Sequence, residues 1–461
     1  MTTEPQPTVE LERQLGKFDA TMIIVGNIIG MGIFTTTGFI AEVLPHPLLM
    51  LSVWIAGGLL TLCGALTYAE LGAAIPRAGG EYVYLREAYG PLMGFLNGWT
   101  YFLVSNPGSI AVMSVALVAY TQSLVPGVPM QSILIAFEVF NWKFQVTNGQ
   151  VLSIVVVGIF SVINYLGVRL GSWVQNLLTM VKIGAILTFA GLGFILGNGN
   201  WSNFNSSSQS HSASVLLAPW SLAMISVFFS YTGWFTSTYV ASEIKDPEKN
   251  IPHSIIYGTL IVTLMYTLIN GAYIYAIPPQ RMRGMISVAE SAAAALFGMT
   301  ISKYVSAAIV VSVLGAINSV ILTSPRIYYA MAKDGLFFQA AGRVHPVFKT
   351  PANSILLQGF WSAVLVLSGT FGQLLTYTTV AMLAFSVLTG TAVLVLRRTQ
   401  PSLPRPFHVP CYPWLTIVFV LSYIVILANI LFSRPREALA GIGIVLLGIP
   451  AYLFWSRKRT Y

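Results

Sequence analysis

Gly26-Asn27-Ile28-Ile29-Gly30-Met31-Gly32-Ile33-Phe34 places three glycines in the middle of an apolar segment. A helix in hydrocarbon satisfies its backbone polar groups internally, and opening it is tolerated only where protein or a polar cavity receives the freed amides and carbonyls. The stretch therefore reads as a broken membrane helix whose freed groups face a polar ligand. Much later in the chain, Phe228-Phe229-Ser230-Tyr231-Thr232-Gly233-Trp234 again sets small and polar residues inside an apolar run. Two interrupted hydrophobic segments in corresponding halves of a chain point to a transporter binding site. The competing reading, that small residues only permit close helix packing, suits either segment alone better than the pair.

The composition agrees. Of 461 residues, 55% are hydrophobic and 8% charged, with a mean hydropathy of +0.74, which excludes an ordinary soluble globule and indicates an integral membrane protein. Scanning for apolar runs long enough to cross a bilayer predicts twelve spans, near 18–41, 49–74, 89–121, 150–166, 173–197, 217–241, 253–277, 302–330, 353–369, 374–396, 413–432 and 438–456. The longest gaps, near 122–149 and 331–352, are too short for a separate soluble domain. The polar N-terminus running straight into the first span does not read as a cleavable signal.

Twelve spans put both termini on one side. Of the 24 Lys and Arg residues, Lys182 falls within a span, and Lys143, Arg281, Arg283, Lys303, Arg434 and Arg436 fall on the side opposite the termini. The other 17 share the side of the termini, so the positive-inside rule makes that side cytoplasmic and implies a cell membrane location. The same distribution accounts for the net charge of +9 through short loops and a terminal Arg457-Lys458-Arg459 cluster that can touch anionic lipid. No basic helix or motif reads nucleic acid.

Enzyme chemistry finds little support. Cys63 lies in a span and Cys411 in a predicted cytoplasmic loop, so a disulfide between them is not expected. The five histidines sit in loops or at span ends, with no helical metal pair, and Glu70 is the one acid expected inside a span. No cofactor, no metal and no nucleotide-binding GxxxxGK loop is expected. A membrane enzyme, a channel or a structural membrane protein remain the alternatives from other classes. Lys182 stands deep inside the fifth span, and a mid-membrane ammonium is costly enough to face a cavity or a carbonyl cluster; the alternative is that it lies higher and reaches the interface.

Several longer motifs carry a family resemblance. Tyr68-Ala69-Glu70-Leu71-Gly72, Pro76-Arg77-Ala78-Gly79-Gly80-Glu81-Tyr82-Val83-Tyr84, Gly90 and Phe95-Leu96-Asn97-Gly98-Trp99 resemble the region between the second and third helices of the amino acid, polyamine and organocation (APC) superfamily. The first glycine break resembles its GSGIF motif, and Ser242 to Pro252 its loop after helix six. Gly233-Trp234, Val174-Gln175 leading to Lys182, and Thr323-Ser324-Pro325-Arg326 resemble the L-type amino acid transporter branch.

The resemblance implies an all-α membrane protein of 12 helices with a leucine-transporter-like inverted repeat, five helices over 18–197 and five over 217–396. Helices 11 and 12 over 413–456 and cytoplasmic tails over 1–17 and 457–461 complete it. Broken helices one and six would bind the substrate in an alternating-access cycle. The amides around Gly30, Met31 and Gly32 would hold a carboxylate; the carbonyls of Ile28, Phe229, Ser230 and Thr232 would hold an ammonium. A half-helix N-terminus favours an anion and a C-terminus a cation, so the backbone alone can recognise a zwitterion.

Phe229 matches the family's aromatic gate, although Phe228 could take that role with a shift in register. Met31 stands where the family has serine or another small residue, and Thr232 where L-type members have glycine or alanine, which leaves the size of the substrate open. Lys182 is expected to act as a replacement for the cation of sodium-coupled relatives, or as a proton-linked group, donating to carbonyls near Gly26 to Gly30 and to helix-eight groups such as Ser319. The implied function is sodium-independent amino acid transport, of neutral L-amino acids by exchange, with proton symport as the alternative. The cysteine that ties animal L-type members to a heavy chain is absent from 122–149, so no disulfide-linked heavy subunit is expected; the oligomeric state is unassigned. Asn200-Trp201-Ser202 and Asn205-Ser206-Ser207 are formal glycosylation sequons.

Overall fold

The computed structural model describes residues 10–125, 127–139, 142–205, 213–368, 371–433 and 435–458. His211, Arg434, the end of the second sequon and the outermost residues of both tails lie outside the described residues. The described chain is mostly helical. It begins with α1 (Lys17–Ile28) and α2 (Gly32–Val43), followed by α3 (Pro47–Ala74), α4 (Glu81–Tyr89) and α5 (Pro91–Thr100). A π-helical turn over Tyr101–Ser105 leads into α6 (Asn106–Leu124). Then come the strands β1 (Ile133–Val139) and β2 (Trp142–Thr147), α7 (Asn148–Tyr165), α8 (Val168–Leu196) and α9 (Ala213–Tyr231). The second half runs through α10 (Pro247–Ala276), α11 (Pro279–Met282), α12 (Val288–Phe297), α13 (Met299–Thr323), α14 (Pro325–Lys333) and α15 (Ala352–Ser368). It closes with α16 (Phe371–Thr399), α17 (Trp414–Ser433), α18 (Pro435–Leu446) and α19 (Gly448–Lys458).

Local chemistry sets these boundaries. The Asp19 carboxylate accepts from the Gly16 amide at 2.7 Å at the start of α1. Thr147 and Gln150 form a reciprocal capping box on α7, and proline occupies the first turn of α3, α5, α10 and α14, where a missing amide costs nothing. Among the described residues nine helices are long and apolar enough to cross a membrane, and a tenth crossing is made if α1 and α2, bent by 42°, count as one. The predicted span 353–369 corresponds to α15, which has 17 residues.

Two readings of the sequence need correction. The predicted span 217–241, expected to be interrupted near Phe228–Trp234, does not resume as α-helix after Tyr231: Gly233 takes φ +102°, and the chain proceeds through short 3-10 turns at Thr236–Thr238 and Ala241–Glu243. The loop predicted over 122–149 contains the antiparallel β1–β2 hairpin, so the fold is not purely helical.

Packing positions the site. The described N-terminal segment lies against the chain that follows α9, with the Gln14 and Leu15 amides both 2.9 Å from the Glu243 carbonyl oxygen. α1 packs against α8, α10 and α13, whereas α2 packs against α9, α11 and α12. Glu70, buried in α3, is satisfied by Arg397 at 2.6 and 2.8 Å and by the Val409 amide. Glu243 and Arg326 form a bidentate pair, both side chains fully buried, that ties α14 to the loop after α9.

Candidate functional site

The chain leaves helical geometry between Ile28 and Gly32. The Gly30 amide turns back to the Ile28 carbonyl at 2.8 Å, and the first amides of α2 have no carbonyl one turn behind them to bond. The carbonyls released at the end of α1 are met from neighbouring helices. The Lys182 ammonium, 2% exposed, donates to Gly26 O at 2.7 Å and to Ile29 O at 2.8 Å. Ser312 of α13 reaches Ile29 O at 3.3 Å. Ser319 donates to Ile23 O at 3.3 Å rather than joining the ammonium. The close approach needs glycine at position 26, where a Cβ would fall 2.0 Å from Gln175 Nε2 and 2.3 Å from Thr179 Oγ1.

The end of α9 lies across from this break. Ser230 donates to Thr36 of α2 at 3.0 Å, while the Thr232 hydroxyl folds back to Phe228 O at 3.2 Å. The carbonyls past the helix end are answered locally, Gly233 O by Thr236 Oγ1 at 2.9 Å and Phe235 O by Thr238 Oγ1 at 2.7 Å. Tyr266 of α10 bridges the breaks, its hydroxyl 2.8 Å from Ile28 O and 3.0 Å from Ser230 O. One hydroxyl proton serves these two oxygens; Ile28 O also accepts the Gly30 amide, so it keeps a free lone pair only when that proton points to Ser230 O.

Between the breaks lies a cavity of about 140 Å³. Ile28, Gly30, Met31, Gly32, Phe229, Ser230 and Thr232, the residues singled out from sequence, all line it, and none of its lining side chains is charged. Phe229 is half exposed, whereas Phe228 is buried with its ring 5.3 Å from that of Tyr423, so Phe229 is the phenylalanine at the cavity. Lys182 is not in its wall; it holds the backbone of the break from behind.

The opposite wall was not foreseen. It comes from Tyr101 and Asn106 at the two ends of the π-helical turn, from Thr323 and Ser324 at the junction of α13 with α14, and from Thr236 and Tyr239. Pro107 was the available signal for the turn, because a proline inside an apolar helix removes a ladder donor and forces a local adjustment. Tyr266 had no such signal: it sits in an uninterrupted apolar helix. Among the described residues no group of His, Cys, Asp and Glu could hold a metal ion.

Known proteins resemble this chain along its length. A family model described as amino acid permease matches residues 15–448. The serine/threonine exchanger SteT of Bacillus subtilis (strain 168) is 31% identical over 98% of both chains. The b(0,+)-type amino acid transporter 1 of Rattus norvegicus is 30% identical, covering 99% of this chain and 91% of its own. The human cystine/glutamate transporter is 29% identical, covering 99% and 88%. The protein is thus a multi-pass membrane permease rather than an enzyme, and the chain belongs to the amino acid permease family of the APC superfamily.

Proposed function

We propose that this protein exchanges neutral L-amino acids across the cell membrane by alternating access, without sodium. The observation that carries the reading is the cavity between the two breaks. Its recognition groups are backbone amides at the start of α2 and carbonyls at the ends of α1 and α9, and its lining carries no charged side chain. The amides around Gly30, Met31 and Gly32 take the α-carboxylate; the carbonyls of Ile28, Phe229, Ser230 and Thr232 take the α-ammonium, with Phe229 as the gate. Opposite helix ends attract opposite charges. Lys182 supplies the fixed positive charge behind the first break, in place of a bound cation. The serine/threonine exchange named for the Bacillus relative supports a small polar substrate and exchange.

The proposed organisation has twelve spans, an inverted repeat over 18–197 and 217–396, helices 11 and 12 over 413–456, and tails over 1–17 and 457–461 in the cytoplasm. A disulfide-linked heavy subunit is not part of it. Counterflow in proteoliposomes with a panel of labelled amino acids tests the function. Uptake is expected only into amino-acid-loaded vesicles, unchanged when choline replaces sodium, and lost for amino acids blocked at the carboxylate or the ammonium. Equal uptake of N-acetylated substrate, or a strict sodium requirement, would overturn it. Uptake into unloaded vesicles driven by a proton gradient would favour proton symport instead.

A further inference from the structure

The motif Pro76 to Tyr84 does nothing in the site described so far, yet its turn grips a cavity residue at three points. Gly79 and Gly80 take φ of +112° and +51°, conformations that glycine reaches without strain, and they turn the chain into α4. The Gly79 amide donates to the Tyr239 carbonyl at 3.0 Å. Gly80 packs against the Tyr239 ring, where a Cβ would come within 2.4 Å of it. The Glu81 carboxyl, fully buried, receives the Tyr239 hydroxyl at 3.4 Å.

The same carboxyl receives Tyr101 at 2.6 Å and Tyr68 of α3 at 2.5 Å. Tyr101 and Tyr239 both line the cavity, so one acid joins two of its walls. Among the described residues Glu81 forms no ion pair; hydroxyls alone answer its oxygens. The unit does not float, because Tyr82 and Arg86 of α4 both bond Asp334 just beyond α14. Tyr239, by contrast, belongs to the irregular segment after α9, which begins at the φ +102° of Gly233. The longest of the three bonds is the one to Tyr239.

We infer that Glu81 is a positioning residue, a latch that holds Tyr239 across one end of the cavity and must release it before substrate leaves by that end. The end in question is the face on which the described N-terminal segment lies, since α1 with α2 crosses away from that face and α3 returns to it. The inference rests on the proposed transport site. Release uncovers the cavity without unfolding α4, which stays anchored through Asp334. Burial pushes the Glu81 carboxyl upward from its ordinary range, ahead of the opposing hydroxyl bonds. Besides Tyr68, Tyr101 and Tyr239, the titratable groups near enough to sense it are Tyr84 and Tyr423. A protonated carboxyl is a weaker acceptor, so acid at that face loosens the latch.

The test uses the full chain in proteoliposomes of each orientation, with Cys63→Ala and Cys411→Ala to clear the background and Ser109→Cys to place one thiol in the cavity wall. A charged methanethiosulfonate reagent is applied to one face at a time. Glu81→Gln and Tyr239→Phe are each expected to raise labelling from the N-terminal face about tenfold, the loss of one charge-assisted hydrogen bond, and to leave the other face unchanged. The double variant should label no faster than the faster single one, because both remove the same bond. The reagent attacks the thiolate, so rates are compared at equal pH: without either change, the ratio of labelling from the N-terminal face to labelling from the other face should rise as pH falls, and Glu81→Gln should abolish that dependence of the ratio. Unchanged rates in both single variants, equal rises at both faces, multiplied effects in the double variant, or a pH dependence of the face-to-face ratio that survives Glu81→Gln would each overturn the latch. Tyr239→Phe keeps the ring, so the test stands if Glu81→Gln fails to fold. Protection of the thiol by amino acid reports on the transport reading separately: its failure sinks that reading while the sidedness of labelling still judges the latch.

Discussion

The two breaks solve the same backbone problem by different means. At the first, the released carbonyls of Gly26 and Ile29 are held from outside by Lys182 and Ser312, on two other helices. At the second, the released carbonyls of Gly233 and Phe235 are held from within, by threonines three residues further along the same chain. A bond to another helix fixes a segment relative to the bundle, whereas a bond to its own turn fixes only its shape. The carbonyls of the first break are thus fastened to other helices, whereas those of the second hold their own turn, and the bundle meets that segment at Ser230 and Tyr239 instead. The difference suits a cycle in which one half of the site stays and the other moves.

The largest expected effect is at Lys182. Lys182→Met keeps the volume but takes the ammonium from two buried carbonyls, leaving Gly26 O without its side-chain donor, at about 1–3 kcal/mol, and Ile29 O with Ser312 alone. Exchange should fall to the level of empty liposomes, with a lowered Tm in a fluorescence-detected melt. Full exchange would show that the first break does not depend on outside support. Next comes the seam where the breaks meet. A Cβ on Gly32 would lie 3.0 Å from Ser230 Oγ and 3.3 Å from its Cα, whereas on Gly30 the nearest atom is Ala316 Cβ at 3.9 Å. Gly32→Ala should therefore raise KM clearly more than Gly30→Ala, while valine at either position should abolish binding without preventing insertion, as a β-branched residue restricts the opened backbone. Equal KM values for the two alanine variants would mean that the seam is looser than its geometry. The smallest effect is expected from Thr236→Val, which removes one self-bond worth about 1 kcal/mol and should slow exchange only several-fold. A loss as complete as that of Lys182→Met would erase the contrast between the breaks.

Much of this was legible in the sequence because membranes make backbone exposure expensive. Glycines in the first segment and small polar residues in the second could not sit at that depth without a partner, and the seven residues that the family resemblance then implied within those segments all line the cavity. Lys182 was legible for the same reason, as a charge too deep to be idle. Contacts between distant segments were not legible. Tyr266 looks like any aromatic in an apolar helix until folding brings Ile28 and Ser230 to its hydroxyl. Glu81 looked like a loop acid, since nothing local reveals that tyrosines from three elements converge on it. The overrun of span 217–241 had a physical cause as well: Trp234 and Phe235 continue the apolar signal past Tyr231, yet they fill a core beside Tyr68 and Phe419 instead of extending the helix.

The absence of charge from the cavity lining has an electrical consequence. Lys182 is spent on the backbone of α1, Arg326 is paired with Glu243, and Glu81 lies behind the tyrosines of the wall rather than in it. A zwitterion carries no net charge, and swapping one for another moves none across the bilayer. Membrane voltage, worth about 2.3 kcal/mol per elementary charge per 100 mV, then has nothing to act on. For such an exchanger the direction of flow is set by the two amino acid concentration ratios alone, and a cell could depolarise without losing its internal pool through this protein.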